Sequence, residues 1–153
     1  MRDLYDTDVF VWSEQQSELL RRRAAGELVN EAELDWPNIA EEIADVGNEQ
    51  RNAVESLLVN ILQHLLQLAA WPEADAARHW RHEVTAWRVT LARRLKRAPS
   101  LDATLEHELS ELYADALAMM YAEVDGVPRP EGSVSDHCPW TLAQAMNRDF
   151  WPE

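Results

Sequence analysis

Three of the chain's five histidines crowd around one Trp-Pro turn, in the stretch QHLLQLAAWPEADAARHWRHE, residues 63–83. Histidine is the commonest metal ligand and the side chain whose charge changes nearest neutral pH. His64 lies about as far before Trp71-Pro72 as His79 lies after it, with His82 one helical turn further on. A helical hairpin closed there would bring His64 and His79 to the same height, but a metal site also needs ligands that face inward. At roughly 100° per residue, His64 falls on the apolar stripe of Leu57, Ile61 and Leu68. His79 lies roughly 130° from the centre of the Trp80, Val84, Trp87 and Leu91 stripe, and His82 almost opposite it. A shared three-histidine site is therefore disfavoured. His64 remains as a polar ring on a core face, in need of a hydrogen-bond partner. A His79–Glu83 contact at i,i+4 is a surface pair.

Other chemistry finds less support. Di-metal bundles use Glu-x-x-His, yet the residues three before the histidines are Ile61, Ala76, His79, Thr104 and Val134, none of them acidic. Cys138 sits between His137 and Pro139 without the surroundings of a cysteine hydrolase, and reads as a buried or half-buried thiol. There is no glycine-rich phosphate loop, no Gly-x-Ser-x-Gly elbow and no zinc-knuckle spacing. Glu41, Glu42, Asp45 and Glu49 fall opposite Ile39, Ile43 and Val46, as a solvated helix face does. No catalytic, cofactor-binding or metal-ligating residue is assigned.

Charge is unevenly distributed. The net charge is −14, with −11 over residues 1–77, +6 over 78–97 and −9 over 98–153. Such an acidic chain disfavours nucleic-acid phosphates. The basic segment, Arg78, Arg81, Arg88, Arg93, Arg94, Lys96 and Arg97, finds its simplest partners in acidic helices of the same bundle. One cysteine rules out an intrachain disulfide and fits a reducing compartment. The acidic start MRDLYDTDVF lacks the pattern of an export signal. The most apolar run, Leu57 to Ala70, is interrupted by Asn60, Gln63, His64 and Gln67 and reads as too short and too polar for a bilayer. A cytoplasmic, soluble protein is expected.

The elements that must hold these residues are helices. Ala and Leu dominate, four glycines occur in 153 residues, and apolar residues recur at helical spacing. Thr7 or Asp6 caps a first helix whose stripe is Val9, Trp12, Gln16 and Leu19, ended near Ala25 by Gly26. Asp35 caps a second, with Pro37 tolerated in its first turn. Its stripe runs through Ile39, Ile43, Val46, Gln50, Val54, Leu57, Ile61, His64 and Leu68. Gly47, costing about 1 kcal/mol relative to Ala, predicts a kink or break into 36–46 and 48–70. A third helix spans about 73–97 and a fourth about 101–124, with Ser100 as its cap. An irregular stretch follows over 126–140. Thr141 and Gln144 form a capping-box pattern for a short last helix, and Phe150 and Trp151 equip the tail to dock. The fold class is all-α: one domain over 1–153, an antiparallel bundle of four main helices (core about 7–125), kinked near Gly47 and closed by a short helix and docked tail, 141–153.

Three long segments taken together, LYDTDVFVWSEQQSELLR, IAEEIADVGNEQRNAVESLLVNILQHLLQL and CPWTLAQAMNRDFWPE, resemble the bacterial family known as domain of unknown function 29. RHW (78–80), PSL (99–101) and ELYADALAMM (111–120) fall in the same order. The resemblance covers nearly the whole chain and implies a small, helical, mostly single-domain protein without an established activity. His64, Trp80, Cys138-Pro139 and Phe150 match positions of the family pattern. Trp36-Pro37 departs from it, where ordinary helix formers are expected. The expected function is that of a non-enzymatic interaction or regulatory module that binds another protein or pairs as a homodimer, with no cofactor, membrane or nucleic acid. The alternative is a metal-binding helical-bundle enzyme using His64 with other inward-facing ligands.

Overall fold

The computed structural model describes residues 3–123 and 134–153, and these contain helices and no strand. In chain order they are α1 (Leu4–Thr7), α2 (Val9–Ala24), a 3-10 turn (Glu31–Glu33), α3 (Trp36–Ala70), α4 (Ala77–Arg97), α5 (Ser100–Glu123) and α6 (Leu142–Met146). The architecture is all-α, with four main helices, α2 to α5. The first part of the irregular stretch, 126–133, lies outside the described residues.

The sequence predicts one domain; the contacts divide the chain into two compact units, Met1–Asn48 and Glu49–Glu153. The division follows the apolar side chains, which bury in two separate clusters. In the first unit Trp12, Leu34 and Ile39 form a small core beneath Leu4, Tyr5, Leu19, Leu20 and Val29. In the second, residues from α3, α4, α5 and α6 share one larger core around Leu58, Leu62, Leu65, Val84, Leu91, Leu105 and Met120.

Capping explains the start and end of α2. Neither Thr7 nor Asp6 caps it; a short α1 comes first, and Asp8 Oδ1 accepts the Val11 N–H at 3.0 Å. Gly26 takes φ +84°, the left-handed conformation that lets the Glu27 N–H reach back to the Arg22 carbonyl. Of the expected α2 stripe, Trp12 and Gln16 are buried, whereas Val9 is exposed.

Buried polar groups tie the first unit together. Trp12 Nε1 donates to Asp35 Oδ2 at 3.0 Å, and the Asp35 N–H donates to Gln16 Oε1 at 2.9 Å. Asp35 also accepts from the Asn38 side chain at 2.7 Å, so it caps α3 as its position predicts. These hydrogen bonds, the Asn38 side chain first, hold the Asp35 carboxyl below its ordinary value.

No break divides α3. It runs as one 35-residue helix through Gly47, so the predicted segments 36–46 and 48–70 are a single element. A glycine in a helix interior loses backbone entropy without losing its hydrogen bonds, a cost the flanking turns absorb. A Cβ built on Gly47 would meet nothing within 4 Å. Gly47→Ala is therefore expected to raise stability by about 0.5–1 kcal/mol in chemical denaturation. A destabilised variant would mean that the helix needs glycine's freedom there. The same helix is long and apolar enough to cross a membrane by length and composition, with an 18-residue window of mean hydropathy 1.3. Yet 61% of that window is buried inside the protein, where the apolar face of a core helix belongs.

In the second unit α3 and α4 are antiparallel, because Gln50 meets Arg94 while His64 meets Glu83. The turn between them is longer than predicted, and α4 begins at Ala77 instead of Glu73. Residues 71–76 instead form turns, with Ala74 N–H on the Trp71 carbonyl and the Ala77 N–H, at the start of α4, on that of Ala74. The predicted capping box at Thr141 and Gln144 is present in full.

Candidate functional site

His64 emerges from α3 on the face that packs against α4, as the helical spacing requires. It is 9% exposed, and its Nε2 lies 2.8 Å from Glu83 Oε2 on α4. Trp87 and Trp80 stand edge-on to the imidazole, with ring centroids 4.8 and 6.4 Å away. The other oxygen of Glu83 lies 3.4 Å from Nε2 of His79, the i,i+4 surface pair expected on α4. One carboxylate thus serves two histidines, one buried and one 69% exposed. His82 is exposed.

Sequence reasoning finds His64 but not its partner. Placing the turn at 71–73 pairs His64 with His79. With α4 starting four residues later, the register moves by about one helical turn and Glu83 comes opposite His64. The missed signal is the length of the polar turn PEADA, which postpones the helix beyond Pro72.

The His64 ring presents no free reacting atom to a solvent-borne substrate, whereas the Glu83 side chain is 31% exposed. Nε2 is taken by Glu83, and Nδ1 is buried without a hydrogen-bond partner among the described residues. A general base or nucleophile needs an atom within hydrogen-bond reach of its substrate. Gln63 and Gln67 on the same face are also buried, and Gln63 Nε2 has no hydrogen-bond partner among the described residues. Among the described residues no group of three or more His, Cys, Asp and Glu side chains is placed to hold a metal ion.

A second polar centre lies under the C-terminal segment. Arg88, placed by sequence on a basic flank of α4, is only 1% exposed. Its Nε donates to the Ala145 carbonyl at 2.7 Å, and its guanidinium lies 4.8 Å from the centre of the Trp151 ring. Arg81 approaches the same ring at 5.1 Å. Both Nη atoms of Arg88 are buried without partners among the described residues, and burial pushes this guanidinium down to about 10. Phe150 packs edge-on to Trp140, and Trp140 to Tyr113. The Tyr113 hydroxyl donates to the Ser135 carbonyl at 2.6 Å, and burial raises this phenol to about 12. Cys138 is half-buried, its Sγ 3.3 Å from the Trp140 carbonyl, and burial pushes its thiol up.

The predicted electrostatic matching of α4 with acidic helices does not form. Among the described residues, Arg78, Arg93, Arg94, Lys96 and Arg97 make no ion pair. A cross-helix ion pair of the second unit instead joins Arg51 of α3 to Glu108 of α5, with Glu55 on the same guanidinium at 2.6 Å. Coulomb attraction between exposed groups is worth too little to dictate helix neighbours; burial of the apolar faces does that.

A protein-family model described as a domain of unknown function, DUF29, matches residues 4–151. No curated protein shows significant similarity to the chain. Among solved structures, an alpha-helical protein of unknown function from Rhodospirillum rubrum ATCC 11170 is similar in fold. It is 25% identical, has a TM-score of 0.68, and the match covers 98% of this chain and 93% of that one.

Proposed function

The chain belongs to the DUF29 family, a domain of unknown function, and on that premise we propose that it is a non-enzymatic, cytosolic protein-interaction module with a regulatory role. It binds another protein or a second copy of itself. The observation that carries this reading is where large apolar side chains meet solvent. Val9, Phe10, Val11, Leu28, Trp36, Ile43 and Val46 are all exposed; outside residues 9–46, only Met119 joins them among the described residues.

On α3 these residues make a continuous stripe. Ile39, Ile43 and Val46 recur at i, i+4 and i+7, one face of a helix. Ile39 belongs to the small core of the first unit, while Ile43 is 69% and Val46 62% exposed. An amphipathic face that leaves its apolar residues in water is the kind of surface a partner helix or groove covers. Ile43 and Val46 are exposed and lie outside both apolar cores, so polar residues can replace these two without opening either core.

Sedimentation equilibrium over a range of concentrations, with crosslinking of the purified full chain to co-purifying protein, tests the reading. The wild type is expected to self-associate or to retain a protein partner. Ile43→Ser with Val46→Ser is expected to stay folded by circular dichroism and to lose that association. A wild-type chain that remains strictly monomeric and retains no protein would overturn it.

A further inference from the structure

The C-terminal end of α4 carries a second unexplained feature. A cleft of about 210 Å³ is lined by Gln50 from α3 and by Thr90, Arg93, Arg94 and Arg97 from α4. Three arginines and two neutral polar residues line it, and among the described residues no acidic residue does, although the chain's net charge is −14. Arg94 is half-buried and its Nη1 lies 3.4 Å from Gln50 Oε1, which restrains the guanidinium across the cleft. None of the three arginines has an ion-pair partner among the described residues.

Helix electrostatics accounts for part of this. Basic residues in the last turn, here Arg94, Lys96 and Arg97, face the negative end of the helix dipole. That argument explains a basic last turn, but not the convergence of Arg93, Arg94 and Arg97 on one cleft with an amide and a hydroxyl. Arg93 and Arg97, at i,i+4, are a like-charge pair of the kind that opposes helix formation unless an anion lies between them. Guanidinium groups are also the side chains best shaped to fork onto phosphoryl oxygens.

We propose that this cleft binds a small phosphate-type oxyanion, inorganic phosphate or the head of a small phosphate monoester. Arg93, Arg94 and Arg97 supply charge-assisted hydrogen bonds and Gln50 positions Arg94, while the Thr90 hydroxyl, which donates to the Ala86 carbonyl at 3.1 Å, lines the wall without a free proton to give. The volume is that of about seven water molecules at roughly 30 Å³ each. It falls below the range of about 300 Å³ and upward that drug-sized ligands occupy, so the occupant is compact. A nucleic-acid polymer is the poorer fit. Its phosphates would extend beyond the cleft and meet the field of a chain whose net charge is −14, whereas a small anion feels chiefly charges within a Debye length of about 8 Å.

Isothermal titration calorimetry of the full chain with inorganic phosphate tests this, against sodium chloride at fixed ionic strength. Phosphate also stabilises proteins by exclusion from their surface, so a thermal shift alone is no evidence of a site. Wild type is expected to bind one phosphate. Arg94→Gln with Arg97→Gln should weaken binding by about tenfold or more, as loss of charge-assisted hydrogen bonds predicts. Arg93→Gln serves as an independent second variant and should weaken binding in the same direction. Arg78→Gln, at the other end of α4, should leave affinity within about twofold. Glycerol phosphate is titrated in parallel: competition with phosphate assigns the cleft to a phosphorylated small molecule, and its absence assigns it to the free ion. The proposal is overturned if wild type shows no binding beyond chloride, if the cleft variants bind as wild type does, or if Arg78→Gln weakens binding equally.

Discussion

Arg88→Ala is expected to destabilise the second unit by about 3 kcal/mol and to release the segment 142–151 from α4. The substitution removes three things together: the aliphatic stem packed in a site 1% exposed, the hydrogen bond to the Ala145 carbonyl and the contact with Trp151. The carbonyl left behind is buried and unpaired, which by itself costs about 1–3 kcal/mol. Arg88→Met separates packing from charge. Methionine keeps most of the stem and does away with the desolvated cation, so two opposing effects leave it close to wild type and well above alanine. Equilibrium denaturation, with hydrogen exchange to follow α6, reads both. If alanine and methionine were equally damaging, the charge and its carbonyl contact, not the packing, would be what holds the tail.

Alkali supplies an independent check with a definite sign. Burial lowers the Arg88 guanidinium to about 10 from an ordinary 12.5. The unfolded chain therefore binds more protons than the folded one between those values, and this group's contribution to stability improves as pH rises through about 10. Tyr113 and Tyr5, both raised to about 12, act in the opposite sense, losing stability as pH rises from 10 to 12. Comparing wild type with Arg88→Met cancels the tyrosines. Wild type is expected to gain on the methionine variant as pH passes from 9 towards 11, and a constant difference would contradict the assignment.

Glu83→Ala is the second large effect, expected to cost about 2 kcal/mol. His64 would keep its place on α3 with Nε2 now unpartnered as well as Nδ1, inside a wall formed by Trp80 and Trp87. Glu83→Gln restores a hydrogen-bonding amide at the same distance and is expected to recover most of the loss. His79→Ala, which touches only the exposed arm of Glu83, should change stability by less than about 0.5 kcal/mol. Urea denaturation of the three variants decides the matter. A loss for His79→Ala as large as that for Glu83→Ala would mean that the two histidines act through the carboxylate as a unit.

These sites were unequally legible in the amino-acid order. His64 could be found because a polar ring on an otherwise apolar stripe stands out at helical spacing, and burial on that stripe is set by the helix itself. Its partner could not, since Glu83 lies across a hairpin whose register depends on where α4 starts. Asp35 and the Thr141–Gln144 box were readable for the same local reason: caps act within three or four residues. Arg88 was not, because on α4 alone it belongs to a basic flank; a segment 57 residues away makes that flank an interior. The arginine cleft likewise needs Gln50 brought across from α3.

By itself the sequence determined the helical class, the four long elements, the caps at Asp35 and Thr141 but not those of α2 and α5, the acidic balance and membership of the family, because each depends on spacing within a few turns or on composition. The tertiary structure alone decided that α3 passes through Gly47 without a break, that the chain gathers into two units, and that the stripe at Ile43 and Val46 is left in water. It also decided which polar groups share the interior. The physical reason is common to all of these: helix periodicity says which face is apolar, but only the packing of other segments says what, if anything, covers it.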